Sequence, residues 1–117
     1  SSIILSSEPP YSNWKISYSF TKSDIIQSVL IKTREERLTM FFRPHSDPRY
    51  IWKSHSTNQG VLWTTPDMTS LPNTLSGFST ISANNSIAMI YNHTHEHRRY
   101  PLSVFTSQDG GTTWGEH

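Results

Sequence analysis

Residues 107–114 read SQDGGTTW, and this stretch decides how the rest of the chain is interpreted. The side chains of Ser107 and Asp109 can accept hydrogen bonds from backbone N–H groups about two residues further on. Gly110 and Gly111 can adopt the positive φ that a tight turn requires. The sequence therefore predicts a self-contained turn between two β-strands, with the ring of Trp114 lying over it.

The same pattern occurs twice in the chain. Residues 51–63, IWKSHSTNQGVLW, align with residues 102–114, LSVFTSQDGGTTW, and upstream LTMFFR at 38–43 matches IAMIYN at 87–92. In the first copy Asn58 replaces the Asp, while Gly60 and Trp63 keep the bend and the ring. A period of about 50 residues with four short strands per unit is typical of a propeller blade rather than a sandwich.

Short apolar runs predict an all-β chain. They are rich in β-branched and aromatic residues and are separated by polar or Pro-containing turns, and no window carries a helical apolar stripe. The predicted strands are 16–20, 25–32, 38–43, 50–56, 62–65, 77–82, 86–92 and 102–107.

Composition excludes several classes of function. The net charge of +1, with six His counted as neutral, gives no electrostatic reason to expect a nucleic-acid partner. No stretch has the ~20 apolar residues of a membrane span, and the lack of Cys excludes disulfides and thiolate metal sites. Sequons at Asn84 and Asn92 favour a secreted or extracytoplasmic location, although nothing fixes the compartment.

Residues 107–114 resemble an Asp box, and the segments around it resemble the sialidase-like β-propeller family with BNR repeats. Segments 26–29, 42–43, 71–73 and 99–103 lie in the order and spacing of that family, so that the resemblance covers residues 24–115. It implies an all-β fold, a β-propeller of the sialidase type, with about two four-stranded antiparallel blades in an incomplete ring.

The resemblance also implies an organisation of the chain. Residues 1–23 form a lead-in strand, residues 24–66 a first blade with a degenerate box, and residues 67–117 a second blade that ends before its outermost strand. Two blades expose two apolar faces, because each blade of a propeller is buried between neighbours. Further blades, self-association or a partner protein are therefore expected to cover them. A compact β-sandwich without a structural repeat is the alternative.

The function implied is that of a fragment of an exo-glycosidase that hydrolyses terminal sialic acid or a related sugar without a cofactor. The fragment is expected to be inactive alone, because the Tyr–Glu pair that acts as nucleophile in sialidases cannot be assigned in this chain. The alternative is a non-catalytic module that binds carbohydrate or another protein.

Candidate site residues follow from the up-and-down strand order, which places successive turns alternately at the two ends of a blade. Related enzymes bind substrate at the end opposite the Asp box, so the box residues are expected to be structural: Ser107, Asp109, Gly111, Thr113 and Trp114. At the opposite end, Arg43 is predicted to clamp a carboxylate and Asp47 to act as the general acid. The predicted substrate-binding residues are Gln27, Asn73, Asn92 and Arg99.

Each candidate has a simpler interpretation. Arg43 could be a solvated strand end, and Asp47 precedes Pro48 in a dipeptide that commonly opens a turn. His93, His95 and His97 alternate as zinc ligands could, but no fourth ligand stands at a metalloenzyme spacing. We therefore interpret this segment as a polar loop and predict no metal site.

Overall fold

The computed structural model describes residues 2–33 and 36–117. These residues contain no α-helix, which confirms the all-β prediction. The described residues form ten strands: β1 (Ile3–Ser6), β2 (Lys15–Ser19), β3 (Ile25–Lys32), β4 (Leu38–Pro44), β5 (Tyr50–Ser56), β6 (Asp67–Pro72), β7 (Ser79–Ala83), β8 (Ser86–Tyr91), β9 (Ser103–Ser107) and β10 (Gly115–Glu116).

The strands form three antiparallel sheets in which chain neighbours are also hydrogen-bonded neighbours. They are an N-terminal hairpin, β1–β2, a first sheet, β3-β4-β5-β6, and a second sheet, β7-β8-β9-β10. The sequence repeat is also a structural one, because Met40 lies opposite Leu30 and Ser54 as Met89 lies opposite Thr80 and Phe105. Two repeated four-stranded meanders are compatible with a propeller.

Four strand predictions need correction. Residues 62–65 are not a strand, because Trp63 turns into the core and Pro66 has no N–H to continue a ladder. The fourth strand of the first sheet is β6, which lies beyond the predicted limit at residue 66.

The outermost strand of the second sheet is short rather than missing, since Gly115 and Glu116 pair with Thr106 and Phe105. The lead-in segment is a hairpin and not a single strand. Its first strand, β1, has only four residues, which left little apolar periodicity to detect in the sequence.

Two apolar clusters hold the sheets together. One lies between the first and second sheets and consists of Ile31, Phe41, Ile51, Leu71, Ile87, Met89 and Tyr91. The other lies between the first sheet and the N-terminal hairpin and consists of Phe20, Ile25, Met40, Phe42 and Trp63. The first sheet is thus covered on both faces, which explains why residues 39–42 of β4 are all buried instead of alternating between buried and exposed.

Candidate functional site

The antiparallel meanders give the molecule two ends with different loops. We call the end that carries residue 24 and the loops 45–49, 73–78 and 92–102 the loop end. The opposite end, which carries the turns 57–66 and 108–114, is the turn end. All predicted catalytic and substrate-binding residues belong to the loop end or to the strand segments that lead into it.

At the turn end, the side chain of Asp109 is saturated by its own turn. Its Oδ1 accepts hydrogen bonds from Ser107 Oγ at 2.8 Å and from the backbone N–H of Thr113 at 2.8 Å, while Oδ2 accepts one from Thr113 Oγ1 at 2.6 Å. These bonds, led by the one from the Thr113 hydroxyl, hold the pKa of Asp109 well below its usual value. The carboxylate therefore serves the local fold.

Ser107 and the glycines complete this turn. Ser107 Oγ accepts the buried N–H of Gly111 at 2.9 Å, and Trp114 Nε1 donates to the carbonyl of Gly111 at 3.0 Å. Gly110 and Gly111 have φ values of 74° and 94°. The first-sheet turn repeats the pattern with an amide, since Asn58 Oδ1 accepts from Ser56 Oγ and from Leu62 N at 2.9 Å each.

At the loop end, two predicted residues meet each other. Arg43 Nη1 donates to Gln27 Oε1, and Arg43 Nη2 donates to the carbonyl of Leu75 in the loop that leads to the second sheet. Gln27 has a φ of 45° and lies at an irregularity in the pairing of β3 with β4, which redirects its side chain. The Arg43 guanidinium thus ties the first sheet to the 73–78 loop.

The two predicted asparagines also come together, but inside the protein. Asn73 is fully buried and exchanges two 3.0 Å hydrogen bonds with the backbone of Ser76. Ser76 Oγ donates to Asn92 Oδ1 at 2.9 Å, and Asn92 Nδ2 donates to the carbonyl of Pro101 at 3.1 Å. Both amides are therefore engaged in holding the loops.

Asp47 is bound to an arginine that sequence reasoning did not single out. Arg49 Nε donates to Asp47 Oδ1 at 2.9 Å, Nη1 donates to the carbonyl of His95 at 2.9 Å, and Nη2 lies 2.6 Å from His97 Nε2. Its side chain is 17% exposed, against 80% for Asp47. No local pattern could have revealed Arg49, because its loop partners lie 46 and 48 residues further along the chain.

Beside Arg49 the 73–78 and 92–102 loops enclose an open cleft lined by Thr74, Leu75, His97, Arg98 and Arg99. Arg98 Nε lies 2.9 Å from Glu96 Oε2, without the alignment of a hydrogen bond, and its guanidinium is 5.2 Å from the centre of the Tyr100 ring. Arg99 is exposed, and it has no ion pair or hydrogen bond within the part of the chain that the structure describes.

The three histidines of the 92–102 loop have different partners. His93 stacks on Phe105 with ring centroids 4.2 Å apart and shares a hydrogen bond with the Tyr91 hydroxyl, and burial lowers the pKa of His93. His95 packs edge-on against Tyr50 at 4.7 Å, and His97 contacts Arg49. Among residues 2–33 and 36–117, no group of three or more His, Cys, Asp or Glu side chains is placed to hold a metal ion.

Comparison with known proteins places the chain in a family. No curated protein sequence matches it. Within the described ranges, no helix is long and apolar enough to cross a membrane. The BNR repeat-like domain matches residues 3–117, nearly the whole chain, in agreement with the two Asp-box-like turns and the repeated sheets. The chain therefore belongs to the BNR repeat-like domain family.

Proposed function

We propose that this chain is a two-blade portion of a sialidase-like β-propeller related to exo-glycosidases, and that its loop end binds an acidic sugar. The blades correspond to the first and second sheets. Family membership and the repeat of four-stranded meanders support the propeller. The proposal for the sugar rests on the guanidinium groups at the loop end.

The observation that carries the proposal is the charge balance around the cleft. Asp47 is paired with Arg49, Glu96 with Arg98 and Asp24 with Lys22. Within the described ranges, Arg43 and Arg99 have no carboxylate partner. Arginine is the side chain best suited to bind a carboxylate through two parallel hydrogen bonds, and the exposed Arg99 lines the cleft.

Under this proposal the loop-end residues divide into two roles. Arg99 binds the carboxylate of the sugar directly, with His97 and the Thr74 side of the cleft beside it. Arg43 and Arg49 set the relative position of the loops, because each joins a segment of the first sheet to a loop next to the second. Gln27, Asn73 and Asn92 support the same loops rather than the sugar.

The test is a titration of the chain with sialyllactose, followed by NMR chemical-shift changes. We expect chemical-shift changes at residues 73–75 and 97–99. We also expect Arg99→Ala not to bind sialyllactose, and the unsubstituted chain not to bind the methyl ester of the same sugar, because the ester lacks the negative charge. Arg37→Ala is the matched control, because it removes the same charge at the turn end. Equal binding of the ester and the acid, or equal effects of the two substitutions, would contradict the proposal.

Hydrolysis is a second candidate, supported by family membership and by the position of Asp47 in the loop next to the cleft. A retaining or inverting glycosidase needs two groups, on opposite sides of the sugar ring. Arg43 and Asp47 stay the predicted catalytic residues. A fluorogenic sialoside assay on a longer propeller chain that contains these two blades tests this: we expect turnover that is lost in Arg43→Ala and Asp47→Asn, and an inactive longer chain would contradict hydrolysis.

A further inference from the structure

A third copy of the box-like turn lies in the N-terminal hairpin. Residues 7–14 read SEPPYSNW, with Ser and Trp spaced as in 56–63 and 107–114. Trp14 Nε1 donates to the carbonyl of Tyr11 at 3.2 Å, as Trp63 and Trp114 donate to the glycine carbonyls three residues before them at 3.0 Å. Tyr11 has a φ of 63°, in the left-handed region that the equivalent glycines occupy.

The hairpin therefore corresponds to the outer half of a repeat unit. Strand β1 precedes its turn as β5 and β9 precede theirs, and β2 follows it as β10 follows the turn of the second sheet. The hairpin, the first sheet and the second sheet are successive units of one stack, since each packs on the next through an apolar cluster.

In the first and second sheets, the tryptophan of the turn packs on the preceding unit. Trp63 of the first sheet lies 5.8 Å from Phe20, which follows β2, and Trp114 of the second sheet lies 5.8 Å from Phe41 of the first. Trp14 is the equivalent residue of the hairpin and is 61% exposed, against 7% for Trp63. By this equivalence, Trp14 would be buried against a repeat unit packed on the outer face of the hairpin.

The exposed face of the hairpin is apolar around Trp14. Ile4 and Tyr18 point towards the first sheet. Alternation and the Leu5–Ile16 pairing put Ile3, Leu5 and Ile16 on the other face, where they are 46%, 52% and 63% exposed. By the repeat, Leu5 corresponds to Phe105, which packs into the cluster between the two sheets.

The face of the second sheet that points away from the first sheet is also apolar. Ile81, Ile90 and Leu102 are 64%, 41% and 70% exposed. By the repeat and the strand register they correspond to Ile31, Phe41 and Ile51, of which none is more than 8% exposed. Those three residues are buried because the second sheet covers them.

We propose that the two faces bind each other between copies of this chain, head to tail. The hairpin face of one copy, carrying Leu5 and Trp14, covers the Ile90 face of the second copy, as Phe105 and Trp114 cover Phe41 within one chain. The interface is heterologous, because two different surfaces meet, and such contacts produce rings or open chains of subunits. It continues the packing that already joins the first and second sheets.

Cross-linking tests the orientation directly, because the chain contains no cysteine. We expect a mixture of Leu5→Cys and Ile90→Cys to form a disulfide-linked or bis-maleimide-linked dimer, while each variant alone forms none. Cross-linking of Ile90→Cys with itself would indicate a twofold contact and would overturn the proposal.

Light scattering over about 1 to 300 μM tests the association itself. We expect the mass to increase with concentration and Leu5→Lys or Ile90→Lys to weaken association by about tenfold or more, since charge is excluded from buried interface centres. Val61→Lys is the matched control, because Val61 is 60% exposed in a turn outside both faces. A monomer at every concentration, with native circular dichroism, would overturn the proposal and indicate that other repeat units cover these faces.

Discussion

Phe41 of the first sheet lies edge-on against Trp114 of the second, with ring centroids 5.8 Å apart and ring planes inclined by 73°. The contact joins a core residue of one repeat unit to the Asp-box turn of the next. A turn that looks self-contained in sequence is therefore part of the interface between sheets, and its residues contribute to stability beyond their own loop.

Gly111→Ala should destabilise the chain more than Gly110→Ala. Both glycines have positive φ, where a Cβ costs roughly 1–2 kcal/mol. A Cβ at Gly111 would also lie 3.2 Å from Phe41 Cζ, whereas at Gly110 it would meet nothing within 4 Å. Chemical denaturation measures the difference, and Gly115→Ala, which has no such contact, is the control. A larger loss for Gly110→Ala would contradict the packing of the turn on Phe41.

Ser107→Ala should lower the free energy of unfolding by about 1–3 kcal/mol, because the buried N–H of Gly111 loses its acceptor. Ser56→Ala should cost a similar amount, since Ser56 Oγ accepts the N–H of Gly60 at the same distance of 2.9 Å. Ser86→Ala, at a more exposed position, is the control, with an expected change within about 0.5 kcal/mol. Urea unfolding of the three variants provides the comparison, and equal losses in all three would refute it.

Acid should destabilise the turn through Asp109. Its pKa is lowered on folding, so its contribution to stability is present above the usual value of 3.8 and is lost as the pH falls through the lower folded value. We expect Asp109→Asn to reduce the loss of stability between about pH 4 and pH 2. Thermal unfolding across that range measures it, and an unchanged pH profile in the variant would argue against the hydrogen bonds of this carboxylate.

Histidine protonation should act in a second pH window. Burial lowers the pKa values of His55 and His93 below 6.5, so the unfolded chain binds protons first and stability falls as the pH drops below about 6.5. His93→Gln should weaken this dependence. NMR titration of the His93 ring protons provides the direct measurement, and a midpoint above 6.5 would contradict the desolvation of this ring by its stacking on Phe105.

Arg49→Lys should destabilise the loop end nearly as much as Arg49→Met. A lysine cannot reproduce the three directed contacts of the guanidinium with Asp47, His95 and His97. The expected loss is about 1–3 kcal/mol for either variant, with faster amide exchange in residues 93–97. Asp47→Asn, which removes an exposed partner, should cost less than about 1 kcal/mol. Wild-type exchange rates in Arg49→Lys would show that charge alone holds the loops.

Much of the fold could be predicted from local patterns. The spacing of Ser, Asp or Asn, Gly and Trp in residues 56–63 and 107–114 predicted two turns, and their hydrogen bonds match the expectation. The pattern does not predict the third turn at 7–14, because Pro9 and Tyr11 replace the Asp and the Gly. The prediction of a strand at 62–65 was wrong, because an apolar run does not reveal whether its backbone N–H groups can pair with a neighbouring strand.

The candidate site was less predictable. Sequence reasoning placed Arg43, Gln27, Asn73 and Asn92 at one end of the molecule, but their side chains are engaged with neighbouring loops. Arg49 was missed because its partners come from another repeat unit. Hydrogen bonds between residues more than 40 positions apart cannot be predicted from a local sequence pattern.

By itself the sequence determined the all-β class, the repeat and the chemistry of the turns, because these depend on side chains that interact within a few residues of each other. Only the tertiary structure decided which faces are covered and which arginine remains available. Ile31 and Ile81, or Trp63 and Trp14, are equivalent in the repeat, yet one of each pair is buried and the other exposed. The difference depends on whether a neighbouring unit is present, and burial is a property of that packing rather than of the residue.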